Sequence, residues 1–88
     1  MNDVQKIDAE TLRKAAERLK GSGASSNHED GLVPGEILKA REPGAFDILV
    51  ALYPSTLRFG HSARDIEAVA FGIEHGMFDK QPLPRWLR

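Results

Sequence analysis

The stretch GAFDILVALYP, residues 44–54, constrains the fold more than any other part of this chain. It carries six large apolar side chains and a single charged one, Asp47. A helix would gather four of them on one face, namely Phe46, Leu49, Val50 and Tyr53. A strand would have to be buried on both faces and to pair with TLRF across a Pro-Ser turn, which suits two-residue hairpins poorly. We therefore expect a central core helix ended by Pro54, with a buried strand as the alternative.

A helix is predicted near the start of the chain, in KIDAETLRKAAERLKG. Asp8 can cap its N-terminus, Ile7 and Leu12 can form a hydrophobic staple, and Gly21 supplies a stop. Its apolar stripe is narrow and rich in alanine, comprising Leu12, Ala15, Ala16 and Leu19. Because such a stripe buries little area alone, we expect this helix to dock against the rest of the chain.

The clearest capping signals lie in HSARDIEAVAFGIEHGMF. Ser62 and Asp65 resemble a capping box, and Gly76 is a natural C-terminal stop. The apolar stripe of this helix is predicted to comprise Ile66, Val69, Ala70, Ile73 and Met77. Gly72 lies inside the helix, where glycine costs about 1 kcal/mol relative to alanine. Either a neighbour passes close to Gly72 or the helix breaks there.

The remaining segments complete the predicted architecture. A short helix is expected between Pro34 and Pro43, with Ile37, Leu38 and Ala40 facing inward. Residues 21–31 are rich in glycine and serine and predict a flexible linker, and residues 79–88, DKQPLPRWLR, predict an extended tail. The chain has 88 residues, enough for one domain, and no cysteine that could form a disulfide. Because the predicted elements are helices, we predict one all-α domain, residues 1–88, a small bundle of three to four short helices.

Residues typical of catalytic sites occur together once, in HSARD. It brings together His61, Ser62 and Asp65, the residue types of a nucleophile, a base and an orienting acid. Ser62 and Asp65 already serve as the cap of a helix, which is the simpler explanation. We therefore expect no catalytic residue and no enzymatic activity.

Metal ligands are not grouped either. His61 and His75 would lie about 21 Å apart on one continuous helix, too far to share an ion. His28, Glu29 and Asp30 fall in the linker and have no fixed geometry. We expect no metal site and no cofactor.

A nucleic-acid function is the alternative that the sequence leaves open. DIEAVAFGIEHGMF loosely resembles a helix-turn-helix, since Ala68 and Gly72 are four residues apart. However, Glu67 occupies a position that is usually apolar, and the second helix would have almost no basic residues. The net charge of −1 also lacks the basic excess of a nucleic-acid binder. A DNA-binding regulator with a degenerate helix-turn-helix around residues 65–80 is therefore the second hypothesis.

Two features predict a surface for a protein partner. Phe71 lies off the apolar stripe of its helix and is expected to be partly exposed. The tail resembles a short linear motif, because prolines limit the entropy lost on ordering and tryptophan and arginine are enriched at binding hot spots. The predicted partner-binding residues are Phe71, Leu83, Arg85, Trp86, Leu87 and Arg88. The alternative for Trp86 is that it folds back to cover the core.

The expected function follows from these surfaces and from the lack of a reactive cluster. We expect a protein-binding module that acts as an adaptor, an inhibitor or a regulatory subunit of a larger machine, a class that includes phage- and plasmid-encoded inhibitors. Its partner is another protein of unknown identity, and a homo-oligomer is left open. Because the N-terminus lacks the features of a signal peptide and no segment approaches the about 20 apolar residues that span a bilayer, we expect a cytoplasmic protein.

Overall fold

Helices dominate the computed structural model, which describes residues 3–22 and 31–78. The elements in chain order are α1 (Asp3–Ser22), β1 (Leu32–Val33), α2 (Gly35–Arg41), α3 (Pro43–Leu52), α4 (Thr56–Phe59), β2 (His61–Ser62) and α5 (Ala63–Glu74). The predicted all-α architecture is confirmed. Two features were not predicted: the single turn α4, and the antiparallel pairing of β1 with β2, in which Leu32 lies opposite Ser62.

The long helices α1 and α5 form the main packing unit. The alanine-rich stripe of α1 is buried, as predicted, and it packs with the stripe of α5 in one core. Arg13 pairs with Glu74 and Lys20 pairs with Glu67. Since the later residue of α1 pairs with the earlier residue of α5, the two helices run antiparallel. The start of α1 and the end of α5 therefore lie at the same end of the molecule.

The apolar stretch that follows Pro43 is helix α3, so the strand alternative is wrong. Its buried side chains are Ala45, Phe46, Ile48, Leu49 and Leu52. Val50 is only partly buried, and Tyr53 is 38% exposed. Tyr53 was predicted on the buried face, but the helix ends at Leu52 and Tyr53 has an extended backbone. Its ring is therefore free to face a different part of the molecule.

Three predictions about α1 are wrong. The helix begins at Asp3, so Asp8 is not its N-cap but a buried residue within it. Ile7 is 55% exposed and forms no staple. Gly21 lies within the helix and does not have the positive φ of a stop; among the described glycines only Gly60 and Gly76 do. Residues 3–7 contain no glycine or proline that would prevent the helix from starting early.

The short helix α2 buries less than predicted. Leu38 is fully buried, whereas Ile37 and Ala40 are exposed. A helix of seven residues presents few positions to a core on one side, and here a single large side chain fills that role. The predicted linker, residues 21–31, lies partly in α1, since Gly21 and Ser22 are helical. Its residues 23–30 and the predicted tail, residues 79–88, lie outside the described residues.

Candidate functional site

A groove of about 350 Å³ runs along one side of α5. It is bounded by the end of α3, by β2, by α5 itself and by the turn that follows α5. Its lining residues are Tyr53, His61, Asp65, Ala68, Val69, Gly72, Met77 and Phe78. The walls are mostly apolar and aromatic, with one imidazole and one carboxylate. This volume is at the small end of ligand sites, which suits one or two inserted side chains.

The turn after α5 builds one wall of the groove. The N–H of Gly76 donates to the carbonyl of Ile73 at 3.2 Å, and the N–H of Met77 donates to the carbonyl of Gly72 at 2.9 Å. With φ of 75° at Gly76, these bonds form a Schellman motif, the usual helix end at a glycine. The prediction of Gly76 as the stop is therefore confirmed. The motif reverses the chain and brings Met77 and Phe78 back over α5.

Gly72 makes this reversal possible. A Cβ atom at Gly72 would lie 2.6 Å from Cε2 of Phe78, too close for any side chain unless Phe78 moves. The helix does not break at Gly72, and the close neighbour is the ring of Phe78, not a crossing helix. That ring is buried and meets the ring of Tyr53 edge to face, with centroids 6.1 Å apart. Phe78 thus joins the end of α5 to the end of α3.

His61 is held at the opposite wall by its own loop. Gly60 has φ of 76° and ψ of −161°, a conformation that only glycine adopts readily. This residue connects α4 to β2. Nε2 of His61 shares a hydrogen bond of 2.6 Å with Oγ1 of the buried Thr56. The imidazole also meets the ring of Tyr53 edge to face at 5.8 Å. These contacts fix the orientation of the imidazole within the groove.

The electrostatics of the groove favour a neutral histidine. Burial lowers the pKa of His61 below its ordinary value, because it disfavours the charged imidazolium. The carboxylate of Asp65 opposes this shift and raises the pKa, but its effect is the smaller one. At neutral pH the groove therefore holds an uncharged imidazole beside a carboxylate.

The HSARD motif is a cap in the structure. Oγ of Ser62 accepts a hydrogen bond of 3.1 Å from the N–H of Asp65, which confirms the predicted cap. His61 bonds Thr56 and not Ser62, so these residues do not form a nucleophile–base pair. Within residues 3–22 and 31–78, no group of three or more histidine, aspartate or glutamate residues could hold a metal ion.

Apolar side chains stand exposed beside the groove. Phe71 is 53% exposed, as predicted, and its ring stacks on that of His75 with centroids 3.8 Å apart. Nδ1 of His75 also hydrogen-bonds the carbonyl of Phe71 at 2.8 Å. Met77 was predicted in the buried stripe of α5, but it is 70% exposed because α5 ends at Glu74 and the turn carries Met77 outward. Met77 therefore lines the groove while its side chain is largely exposed, and Phe71 is the neighbour along α5 of Gly72, which also lines the groove.

Of the predicted partner-binding residues, only Phe71 lies within the described part of the chain. It does not line the groove, but it precedes Gly72, which does. The other predicted partner-binding residues, Leu83, Arg85, Trp86, Leu87 and Arg88, lie outside the described residues. Sequence reasoning missed Tyr53, His61, Met77 and Phe78 as members of one site. The available signal was the stop at Gly76, since a Schellman motif implies that the two residues after it fold back on the helix.

The segment with a likeness to a helix-turn-helix has a different shape from the one that motif requires. Residues 63–74 form one helix, and the turn comes after it, at residues 75–78. Ala68 and Gly72, the two small residues on which the likeness rests, both line the groove.

Comparison with protein-family models, with curated proteins and with solved structures finds no match to this chain. Among the described residues, no helix is both long enough and apolar enough to cross a membrane.

Proposed function

We propose that the protein is a small non-enzymatic protein-binding module, an adaptor, inhibitor or regulatory subunit of a larger machine, and that it binds its partner through the groove and the apolar side chains beside it. The observation that carries this proposal is the exposure of Met77, 70%, next to a groove walled by Tyr53 and Phe78. The turn after α5 buries Phe78 in the wall of the groove and leaves Met77 exposed to solvent. A partner could therefore insert a side chain into the groove and also contact Met77.

The chemistry of these residues suits a protein surface. Methionine and aromatic residues are enriched at protein interfaces, and the unbranched thioether of methionine adapts to irregular partners. Binding hot spots are typically one anchor side chain in a pocket, surrounded by contacts that exclude water. The groove is large enough for such an anchor, and Phe71 and Met77 stand where the surrounding contacts would form.

The test is an affinity purification from a native lysate, with and without nuclease, followed by mass spectrometry. The variant Phe71→Glu/Met77→Glu places two charges beside the groove at exposed positions, so the core is not disturbed. Ile37→Glu is the matched control, because Ile37 is also an exposed apolar residue but lies on α2, away from the groove.

We expect one protein to be retained in stoichiometric amount by the wild type and by Ile37→Glu, despite nuclease, and to be lost from the double variant. A partner retained equally by all three proteins would contradict the proposed site. Retention that disappears with nuclease would favour the DNA-binding alternative and contradict the proposal.

A further inference from the structure

The groove lies next to the point at which the described chain ends. Phe78 is the last described residue, and it forms part of the groove wall. Ten further residues, DKQPLPRWLR, follow it. An extended chain advances about 3.3 Å per residue, so Trp86 can lie up to about 26 Å from Phe78. The groove spans Asp65 to Gly72 on α5, a distance of about 10 Å at 1.5 Å per residue. Every part of the groove is therefore within reach of the segment.

The chemistry of the segment matches that of the groove. Leu83, Trp86 and Leu87 supply the apolar side chains that an aromatic groove accommodates. Arg85 and Arg88 supply positive charge, and Asp65 supplies a carboxylate in the groove. Asp65 makes no ion pair with any other residue in the described part of the chain. The aromatic walls of the groove therefore match the apolar side chains of the segment, and the carboxylate of Asp65 matches its arginines.

We propose that residues 83–88 of the same chain occupy this groove in the free protein, with Trp86 as the anchor side chain. A short tether gives an effective concentration of about millimolar, so the segment occupies the groove even if its intrinsic affinity is modest. This inference goes beyond the proposed function, because it concerns the purified protein alone. If a partner also binds in the groove, it must first displace the segment. The segment then lowers the apparent affinity of the protein for that partner.

Trp86 is the only tryptophan, so its fluorescence reports on the segment without interference. The measurement compares acrylamide quenching and the emission maximum of the full chain with those of a synthetic peptide of residues 79–88. We expect quenching of the full chain to be severalfold weaker and its emission to lie at a shorter wavelength.

A blocking variant links this protection to the groove. Ala68 is exposed and lines the groove, so Ala68→Arg fills it and repels Arg85 and Arg88. Ala40→Arg is the control, since Ala40 is an exposed alanine on α2 that does not line the groove. Quenching in Ala68→Arg should approach that of the peptide, while Ala40→Arg should match the wild type.

A second measurement needs no variant, so it tests the proposal even if Ala68→Arg folds poorly. Nuclear Overhauser effects between the indole of Trp86 and the side chains of Met77 or Phe78 in the wild type would support the proposal directly. The proposal would be overturned if Trp86 in the wild type were quenched as strongly as in the peptide. It would also be overturned if Ala68→Arg left the protection of Trp86 unchanged and no such nuclear Overhauser effects were seen. Protection that grows with protein concentration would also overturn it, because the occupant would then be a second copy. None of these readouts involves a partner, so they are independent of the purification experiment above.

Discussion

Gly60 lies at a point where the backbone tolerates little change. Its φ and ψ fall in a region that is essentially limited to glycine, and a Cβ atom there would lie 1.9 Å from the carbonyl oxygen of Val33. Both obstacles involve backbone atoms, which cannot move aside as a side chain can. The conformation matters to the groove because the next residue is His61.

Gly60→Ala should lower the free energy of unfolding by at least about 3 kcal/mol, since strain and backbone collision act together. Gly21→Ala is the control, because a Cβ atom there meets nothing within 4 Å and the residue lies in a helix. It should raise the free energy of unfolding by up to about 1 kcal/mol. Urea unfolding monitored by circular dichroism measures both, and effects of the same sign would contradict the argument.

His61 should make stability depend on pH. In the unfolded chain its imidazole binds a proton near pH 6.5, about the ordinary value. Burial lowers the pKa in the folded state, so between the two pKa values the unfolded state binds more protons. The free energy of unfolding therefore falls as the pH drops from about 6.5 through the folded-state pKa, and this contribution is fully present above that interval.

The measurement is urea unfolding at about pH 7.5 and about pH 5.5. The loss of stability at the lower pH should shrink in His61→Gln, which cannot take up the proton. His75→Gln should retain the loss, because it leaves the imidazole of His61 and its burial unchanged. An unchanged pH dependence in His61→Gln would show that other groups cause it.

Single residues differ in how far the sequence reveals them. Ser62 and Gly76 were predictable because the groups that they satisfy are within three or four residues along the chain. The roles of Thr56 and Tyr53 were not, because each is defined by a contact with His61 that only the folded chain creates. The burial of Asp8 was also missed, since an acidic residue before an apolar stripe is far more often a cap.

At the scale of elements, α5 and its Schellman turn act as one unit with α3. The turn places Phe78 over Gly72 and against Tyr53, so the end of one helix is joined to the end of another by a side chain outside both. Gly72 is therefore retained in a helix interior at a cost in helix propensity, because alanine would exclude the ring.

Gly72→Ala should have opposite effects on the free energy of unfolding in the presence and in the absence of the Phe78 ring. In the wild type it should lower the free energy of unfolding by about 1 kcal/mol or more, because a buried ring must shift. In a Phe78→Ala background it should raise stability by up to about 1 kcal/mol, since only the gain in helix propensity remains. A double-mutant cycle in urea gives the coupling, and two effects of equal size would indicate that Phe78 does not restrict residue 72.

The elements themselves were largely predictable, and their pairing was not. Apolar periodicity and capping indicated α1, α3 and α5, because those signals are local. The β1–β2 pairing joins residues about thirty positions apart, and two-residue strands leave no periodic pattern to recognise. The groove was hidden for a related reason: its walls combine Tyr53, after α3, with residues of β2, α5 and the following turn, which only the folded chain brings together.

At the scale of the whole molecule, the packing of α1 on α5 organises the fold. Both helices bury alanines, including Ala15 and Ala16 on α1 and Ala70 on α5, and small side chains allow close approach. Arg13 and Lys20 form ion pairs with α5, while Nε of Arg18 donates to Oε2 of Glu42 at 2.9 Å. Such exposed pairs contribute little stability, so the apolar contact between the helices dominates.

Ala70→Leu should lower the free energy of unfolding by about 1 to 3 kcal/mol, because extra methylene groups in a packed core force neighbouring atoms apart. Ala51→Leu, an exposed position on α3, should change it by no more than about 0.5 kcal/mol. Thermal or urea unfolding of the two variants decides the matter. A small effect at both positions would mean that α1 and α5 are not closely packed at Ala70.

The antiparallel arrangement of α1 and α5 also determines where the protein can be attached to a surface. A linkage before α1 lies at the same end of the molecule as the turn that carries Met77 and Phe78. Ser22 lies at the opposite end, and so does Leu32, because it pairs with Ser62 at the start of α5. The groove extends between these two ends, from His61, which pairs with Val33, to Met77, so an attachment at Asp3 would lie toward one end of the groove and an attachment at Leu32 toward the other.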